Sequence, residues 1–388
     1  MVFWIIGLLD SSQIMLIEIN EDIIDAAIKK ESQINDALEL LLMMAYCSRK
    51  GKHVVYVPCL RTNEHKIKEL QVLLGVANAR ALNLFNGRAS LAKRLLNNIS
   101  VKAIVSYNDP TITTDSESCC RIIWLNPHIY NSFEPWVETH VLAENLNDSE
   151  FFSYLIKYFL KSQKLSGAQF NFYPLMGGGD TMRHVLNNEV RIRRHFCLVL
   201  ADSDKLCPDG VSGSTATKVG EIMKCNPFNC GCYIMKYVRE IENLIPQKIV
   251  AKLRKGKGHS IFDKDPSFFD MKCGLTFIDL YSDNVCDYWK DLLLQPTLFQ
   301  ERDSIKAKCQ SKKEYDKEVK AKEPLLPGFG SNILALALNK SETQKKRLDS
   351  KNDLYSVTKG DLNSSQIKEW EAIGKEMFSW TCCLGAKN

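Results

Sequence analysis

Between about residue 20 and residue 240, short apolar runs rich in Val, Ile and Leu alternate with stretches whose apolar residues recur at helical spacing. Continuous apolar runs of this kind suit strands buried on both faces, and joining parallel strands takes a crossover helix. The alternation therefore predicts an α/β fold with a mainly parallel sheet flanked by helices. At 388 residues the chain exceeds what one hydrophobic core usually organises, so more than one unit is expected.

Residues 21–47 carry Ile24, Ala27, Ile28, Ile34, Ala37, Leu38, Leu41 and Leu42 at helical spacing and lead into a strand-like run at 53–58. A second helical pattern covers 65–74, and further strands are expected at 103–107 and 121–125. These elements define an N-terminal α/β unit, residues 1–135. In a second unit, residues 136–280, strands are expected at 136–143, 168–175, 196–201 and 232–238, with helices at 149–161 and 180–190. Beyond 280 the chain turns charged and helical: 304–322 is dense in Lys and Glu, Pro324 to Gly330 interrupts it, and an amphipathic helix is expected at 364–378. Residues 281–388 thus read as a C-terminal helical region.

In parallel sheets functional side chains lie just past the carboxyl ends of strands, and three such ends in the second unit carry acids. Glu144 follows the first, with Asp148 in the turn; Asp202 and Asp204 follow the third strand; Glu240 and Glu242 follow the fourth. Carboxylates gathered at adjacent strand ends repel one another and persist mainly where a divalent cation neutralises them. Magnesium, or manganese, is the cation expected, because it takes hard oxygen ligands and bridges to phosphate oxygens. On an extended segment Asp202 and Asp204 would share one side of the chain and hold an ion between them. Gly177, Gly178 and Gly179 precede a predicted helix, where glycine lets backbone amides approach a phosphate. An ordinary αβ connection accounts for the three glycines equally well.

The order of strand and Glu144, glycine turn, strand and Asp202-Ser203-Asp204 resembles the TOPRIM fold of topoisomerases, primases and OLD-family nucleases. Residues 239–246, Arg-Glu-Ile-Glu-Asn-Leu-Ile-Pro, resemble the Glu-Asn motif downstream in TOPRIM-like effectors of bacterial antiphage systems. The resemblance covers about a third of the chain. It implies a metal set of Glu144, Asp202, Asp204, Glu240 and Glu242, with Glu144, Asp202, Asp204 and Glu242 as the catalytic acids. It departs from the pattern at Asn145-Leu146, where a glycine is usual, and at Leu206, where a third acid is usual. That second departure favours the nuclease branch over topoisomerase or primase. Lys205, or Lys272 further on, is the cation expected to offset charge in the transition state.

The resemblance implies a Mg²⁺- or Mn²⁺-dependent endonuclease acting on DNA or RNA, a toxic effector of antiviral defence working with a protein partner such as a sensor or ATPase subunit, and possibly a homo-oligomer. Its alternatives are a non-catalytic TOPRIM-like scaffold subunit and a primase-like nucleotidyltransferase. Two basic clusters, Arg191, Arg193 and Arg194, and Lys248, Lys252, Arg254, Lys255 and Lys257, flank the acids in sequence and suit phosphate contacts. A net charge of +5 is too small to identify a polyanionic partner by itself. Composition, with 45% hydrophobic and 25% charged residues, excludes disordered and fibrous classes. The apolar start at residues 1–9 has no basic n-region and is broken by Asp10, so it reads as a strand, not a leader. With no apolar run near the roughly 20 residues that span a bilayer, the expectation is a cytoplasmic protein, off the membrane, with reduced thiols. Cys225, Cys230 and Cys232 offer three thiols without an evident fourth ligand and read as packing residues. His184 and His195 show no ligand pattern along the chain and carry no assigned chemistry.

Overall fold

Apolar runs too short to stand alone are stable only when paired, and in the computed structural model of the protein they pair into two main sheets. The structure describes residues 15–29, 34–50, 53–107, 112–115, 120–127, 138–165, 167–253, 264–338 and 353–384. The first sheet has the order β2-β1-β3-β5-β4, built from β1 (Leu16–Ile19), β2 (Val54–Tyr56), β3 (Val101–Val105), β4 (Ile112–Thr114) and β5 (Arg121–Leu125). All its pairings are parallel except β4 with β5. Strand β1 has no counterpart in the sequence-based reading: four residues directly ahead of a helix carry too little pattern to stand out. The expected strand at 1–9 lies outside the described residues. Helical periodicity over 21–47 resolves into two helices, Glu21–Lys29 and Ile34–Arg49.

The second sheet, β10-β9-β6-β8, is parallel throughout and contains β6 (His140–Ala143), β8 (Tyr173–Met176), β9 (Cys197–Ala201) and β10 (Cys230–Ile234). Every residue of β6 and β9 is buried, as two-sided coverage requires. Helices Leu146–Ser162, Met182–Ile192 and Ser214–Met223 supply the crossovers. The protein is therefore α/β with mainly parallel sheets. The single strand expected at 168–175 divides in two. Its second part, β8, is an edge strand, the position in a sheet that tolerates Pro174. Its first part, β7 (Ala168–Phe170), pairs antiparallel with the last strand of the described chain, here β13 (Cys382–Leu384).

The C-terminal region does not stay apart as a helical appendage. Helix Ser364–Thr381 packs along Leu146–Ser162, with Trp370 fully buried edge-on to Phe151 and Tyr158. Contact is so close at Gly374 that a Cβ would sit 2.6 Å from Phe159 Cβ and 3.2 Å from the Leu155 carbonyl oxygen. The same helix ties the two sheets together: Ser379 Oγ accepts from the Ser100 N–H (2.7 Å), and Thr139 donates to the Trp380 carbonyl (2.8 Å). Polar and charged by composition, residues 304–322 form two helices, Pro296–Lys308 and Lys312–Val319. The Pro/Gly interruption forms strand β12 (Leu326–Pro327), paired with β11 (Gly274–Leu275). Among the described residues no helix is long and apolar enough to cross a membrane.

Candidate metal centre

Strands β6, β9 and β10 are parallel neighbours, so the segments that leave them emerge at one edge of the sheet. Past β6, Glu144 is followed by Asn145, which caps helix Leu146–Ser162 by accepting from the N–H groups of Asn147 (2.9 Å) and Asp148 (3.3 Å). Asp148 returns the bond, accepting from the Asn145 N–H at 3.0 Å. One Asp148 oxygen, Oδ1, is left buried without a partner.

Past β9, the Asp202-Ser203-Asp204 turn is zipped to the segment leaving β10. Ser203 Oγ donates to the Val238 carbonyl (2.9 Å), the Asp204 N–H donates to the Arg239 carbonyl (3.0 Å), and Asp202 Oδ1 accepts from the Ile241 N–H (2.9 Å). Beyond these bonds Glu240 caps a short 3₁₀ turn, Ile241–Leu244, while its Oε1 accepts from the Met271 N–H (2.8 Å). Asn243 locks the turn, donating to the carbonyls of Pro266 (2.7 Å) and Phe269 (2.8 Å). Arg239 pairs with Asp270 at 2.9 Å.

These constraints gather Asp202, Glu240 and Glu242, all buried, so that one carboxylate oxygen from each lies within 4.8 Å of the others. Lys272 reaches into the group, its Nζ 3.2 Å from Glu242 Oε1 and 3.4 Å from Glu240 Oε2. The other Glu242 oxygen, Oε2, is buried with no partner. Glu144 is half-buried on the rim, where the charges of Lys272, Asp204 and Glu242 all act on it. Asp204 also belongs to the rim. Its backbone is left-handed, with φ of 54°, so the spacing of the two aspartates does not behave as an extended segment would, and only Asp202 enters the trio. The turn has no room for a Cβ at Gly213, which would run into the Asp204 side chain.

Burial and mutual repulsion push the carboxyl groups up. Glu240 rises to about 7, first through burial and then through Glu242, with Lys272 opposing; Asp148 also rises to about 7, through burial first. Asp202 is raised well above the carboxylate range by burial and by Glu242, Glu240, Asp148 and Glu144 around it. Burial likewise raises Glu144 and Glu242, against the pull of Lys272. Lys272 itself is raised: burial works to lower it, and the surrounding Glu240, Glu242 and Asp202 outweigh that. Among the described residues Glu144, Asp148, Asp202, Glu240 and Glu242 share the Lys272 ammonium, with the Arg239 guanidinium, paired to Asp270, also acting on Glu240; two of their buried oxygens lack a partner, so the residues fit a divalent cation with oxygen ligands.

Three expectations change. The glycine turn does not present a set of free amides to a phosphate: the Gly177 N–H donates to the Ala143 carbonyl (2.7 Å) and the Gly178 N–H to the Glu144 carbonyl (2.8 Å). The glycines are needed for conformation, since Gly178 and Gly179 have φ of 60° and 55°, and a Cβ on Gly177 would lie 2.7 Å from Met182 Cβ. Lys205 turns away from the trio, its Nζ donating to the Pro208 carbonyl at 3.3 Å, and Lys272 is the cation that meets the acids. Finally, Arg191, Arg193 and Arg194 precede β9 whereas Asp202 follows it, so a strand of about 17 Å separates that basic cluster from the acids. Of the second cluster, Lys248 pairs with Asp361 at 2.8 Å, and Arg254, Lys255 and Lys257 lie outside the described residues. Asp148 stands in the sequence only as an acid in the turn after Glu144, Arg239 and Asn243 only as members of the 239–246 motif, and none of the three is selected as a site residue; nor is Asp270, the partner of Arg239.

The last support comes from far along the chain. Glu369, fully buried in helix Ser364–Thr381, accepts from the N–H groups of Lys236 (3.0 Å) and Tyr237 (2.5 Å) and from the Tyr233 hydroxyl (2.5 Å). Gln366 donates to the carbonyls of Asn243 (2.8 Å) and Ile245 (3.0 Å), and Trp370 to that of Leu244 (3.0 Å). Residues 326–330 brace the Lys272 segment in the same way, with the Phe329 N–H donating to the Met271 carbonyl (2.7 Å) and the Gly330 N–H to that of Lys272 (3.0 Å). The chain matches no protein-family model, no curated protein and no solved structure, so what this centre does has to be read from its own side chains.

Proposed function

We propose that the protein is a Mg²⁺- or Mn²⁺-dependent nuclease of the TOPRIM-like kind, cleaving phosphodiester bonds in DNA or RNA. One observation carries the reading: Asp202, Glu240 and Glu242 converge at the carboxyl edge of a parallel sheet, with Glu242 Oε2 buried and unpartnered. A metal ion there would be held by those three, with Glu144 and Asp204 on the rim beside it. When bound, it supplies a polarised phosphoryl oxygen and an acidified water. The chain's own contribution is positional. Backbone N–H groups of Ile241 and Met271 hold Asp202 and Glu240 in place, and Lys272 sets a fixed positive charge next to the trio, where charge develops on a phosphate undergoing displacement. A role as a defence effector, with a sensor or ATPase partner, follows from the resemblance of residues 239–246 and belongs to the same proposal.

The test is incubation of purified protein with plasmid, single-stranded DNA and tRNA, with Mg²⁺ and with chelator. Cleavage that needs the metal and falls at least ~100-fold in Asp202→Asn, with the fold retained, is the expected outcome. Absence of metal-dependent cleavage of all three would refute it. Lys272 favours a second reading, because an ammonium already inside the group partly neutralises Glu240 and Glu242. On that reading the centre is a structural, non-catalytic core of a scaffold subunit, and Asp202→Asn leaves the biological effect of the protein unchanged.

A further inference from the structure

The opposite edge of the same sheet carries a second convergence of ligand-type side chains. His140 opens β6, Glu189 lies on helix Met182–Ile192, and His195 stands in the link that leads into β9. Both imidazoles aim Nδ1 at one oxygen: Glu189 Oε2 is 3.1 Å from His140 Nδ1 and 3.9 Å from His195 Nδ1. The rings stand 4.3 Å apart, and the three ligand atoms fall within 4.8 Å of one another. His140 and Glu189 are buried, while His195 is half-buried.

We propose that His140, Glu189 and His195 form a binding site for a d-block divalent cation, zinc in the first instance, separate from the acidic centre. The donor set selects the ion: two imidazole nitrogens and one carboxylate oxygen suit zinc, whereas magnesium takes oxygen and keeps its waters. Separations also fit. Ligand atoms on a tetrahedral ion with bonds of about 2.0–2.1 Å stand roughly 3.3 Å apart, between the two observed distances.

Neutral imidazoles sharing one carboxylate each need a proton at Nδ1 to do so, and a bound cation replaces those protons. Second-tier support is present: Asn229 donates to the carbonyls of both Glu189 and His195, each at 3.1 Å, fixing helix end and link relative to each other. Access exists too, since Tyr173, whose ring is 5.3 Å from that of His140, lies on the edge strand and is about half exposed. Three protein ligands with solvent nearby leave a fourth position for water.

The decisive experiment uses the full chain, stripped with chelator and titrated with Co²⁺ as a visible substitute for zinc. The expected result is a four-coordinate Co²⁺ absorption band that saturates at one equivalent, disappears on adding Zn²⁺, and survives excess Mg²⁺. His195→Gln and Glu189→Gln, checked for fold by circular dichroism, are expected to weaken the band-forming affinity at least ~100-fold, and Asp202→Asn to leave it unchanged. No band in the wild-type protein, a band that persists in both folded variants, or loss of the band in Asp202→Asn would each overturn the assignment. Should the variants unfold, imidazole ¹⁵N spectra of the wild-type protein decide it: zinc must shift Nδ1 of His140 and His195, and unchanged resonances refute the site. Because nucleic acid plays no part in these measurements, their outcome is independent of the nuclease assay.

Discussion

Replacing Glu240 by glutamine should stabilise the metal-free protein at pH 8 and leave its stability nearly unchanged at pH 4. Burial and the Glu242 charge raise the Glu240 carboxyl from 4.5 to about 7 in the folded chain. A raised carboxyl means the native state binds more protons than the unfolded one, so stability falls as pH climbs from about 4.5 to about 7 and stays low above that. At about 1.4 kcal/mol for each pH unit of displacement, ionised Glu240 costs the fold roughly 3 kcal/mol at pH 8. Glutamine removes that cost while its Oε1 still accepts from the Met271 N–H, the bond that carboxylate Oε1 makes at 2.8 Å. The attraction of the Lys272 ammonium, 3.4 Å from Glu240 Oε2, is already contained in that raised value, since Lys272 opposes the rise. The expectation is therefore roughly 3 kcal/mol, or a rise of a few degrees in Tm for a chain of this size. Differential scanning calorimetry at pH 4, 6 and 8, in chelator and again with Mg²⁺, reads it directly. Saturating Mg²⁺ should then stabilise the wild-type protein at pH 8 more than the variant, since it binds the native carboxylates. An Glu240→Gln protein less stable than wild type at pH 8, or a difference that does not vary with pH, would refute this account of the centre.

Substitutions at three further positions probe what holds the centre together. Lys272→Met removes the ammonium that sits among Glu240, Glu242 and Asp202, so the chelated protein should lose about 2–4 kcal/mol at pH 8 by urea titration, with part of the loss recovered in Mg²⁺. Glu369→Ala strands two N–H groups and the Tyr233 hydroxyl in the interior and should cost roughly 3 kcal/mol, whereas Glu369→Gln, which keeps an acceptor, should cost clearly less. Gly374→Ala drives a methyl into Phe159 and should destabilise by about 1–3 kcal/mol, lowering Tm while leaving the isolated chemistry of the acids untouched.

Much of the sheet that bears the centre was legible because its strands are continuous apolar runs. Cys197–Ala201 reads as a strand from composition alone, and Asp202 stands where such a run must end. The same logic located Glu144 and the 240–242 acids, whereas the helix expected from residue 149 starts earlier, at Leu146, behind the Asn145 cap that Asp148 reciprocates. Misreadings arose where a local pattern has two structural solutions. Residues 168–175 look like one strand, but Pro174 suits an edge position, and the preceding segment finds its partner more than two hundred residues away in Cys382–Leu384. A tripeptide Asp-Ser-Asp suggests two co-facing ligands only if it is extended, and the positive φ of Asp204 separates them.

Hydrophobic periodicity, continuous apolar runs and strand-terminal acids therefore determined the α/β class, the parallel second sheet and the edge at which carboxylates accumulate, because each depends on neighbours within a few residues. Tertiary structure alone decided that Glu240 joins Asp202 and Glu242 while Glu144 and Asp204 stay on the rim, that Lys272 and not Lys205 meets them, and that helix Ser364–Thr381 holds the segment in place. It also brought His140, Glu189 and His195 to a common point. Side chains separated by tens to hundreds of residues meet only after the sheet has closed and the crossovers have packed, and no local pattern carries the register and loop geometry that set those distances.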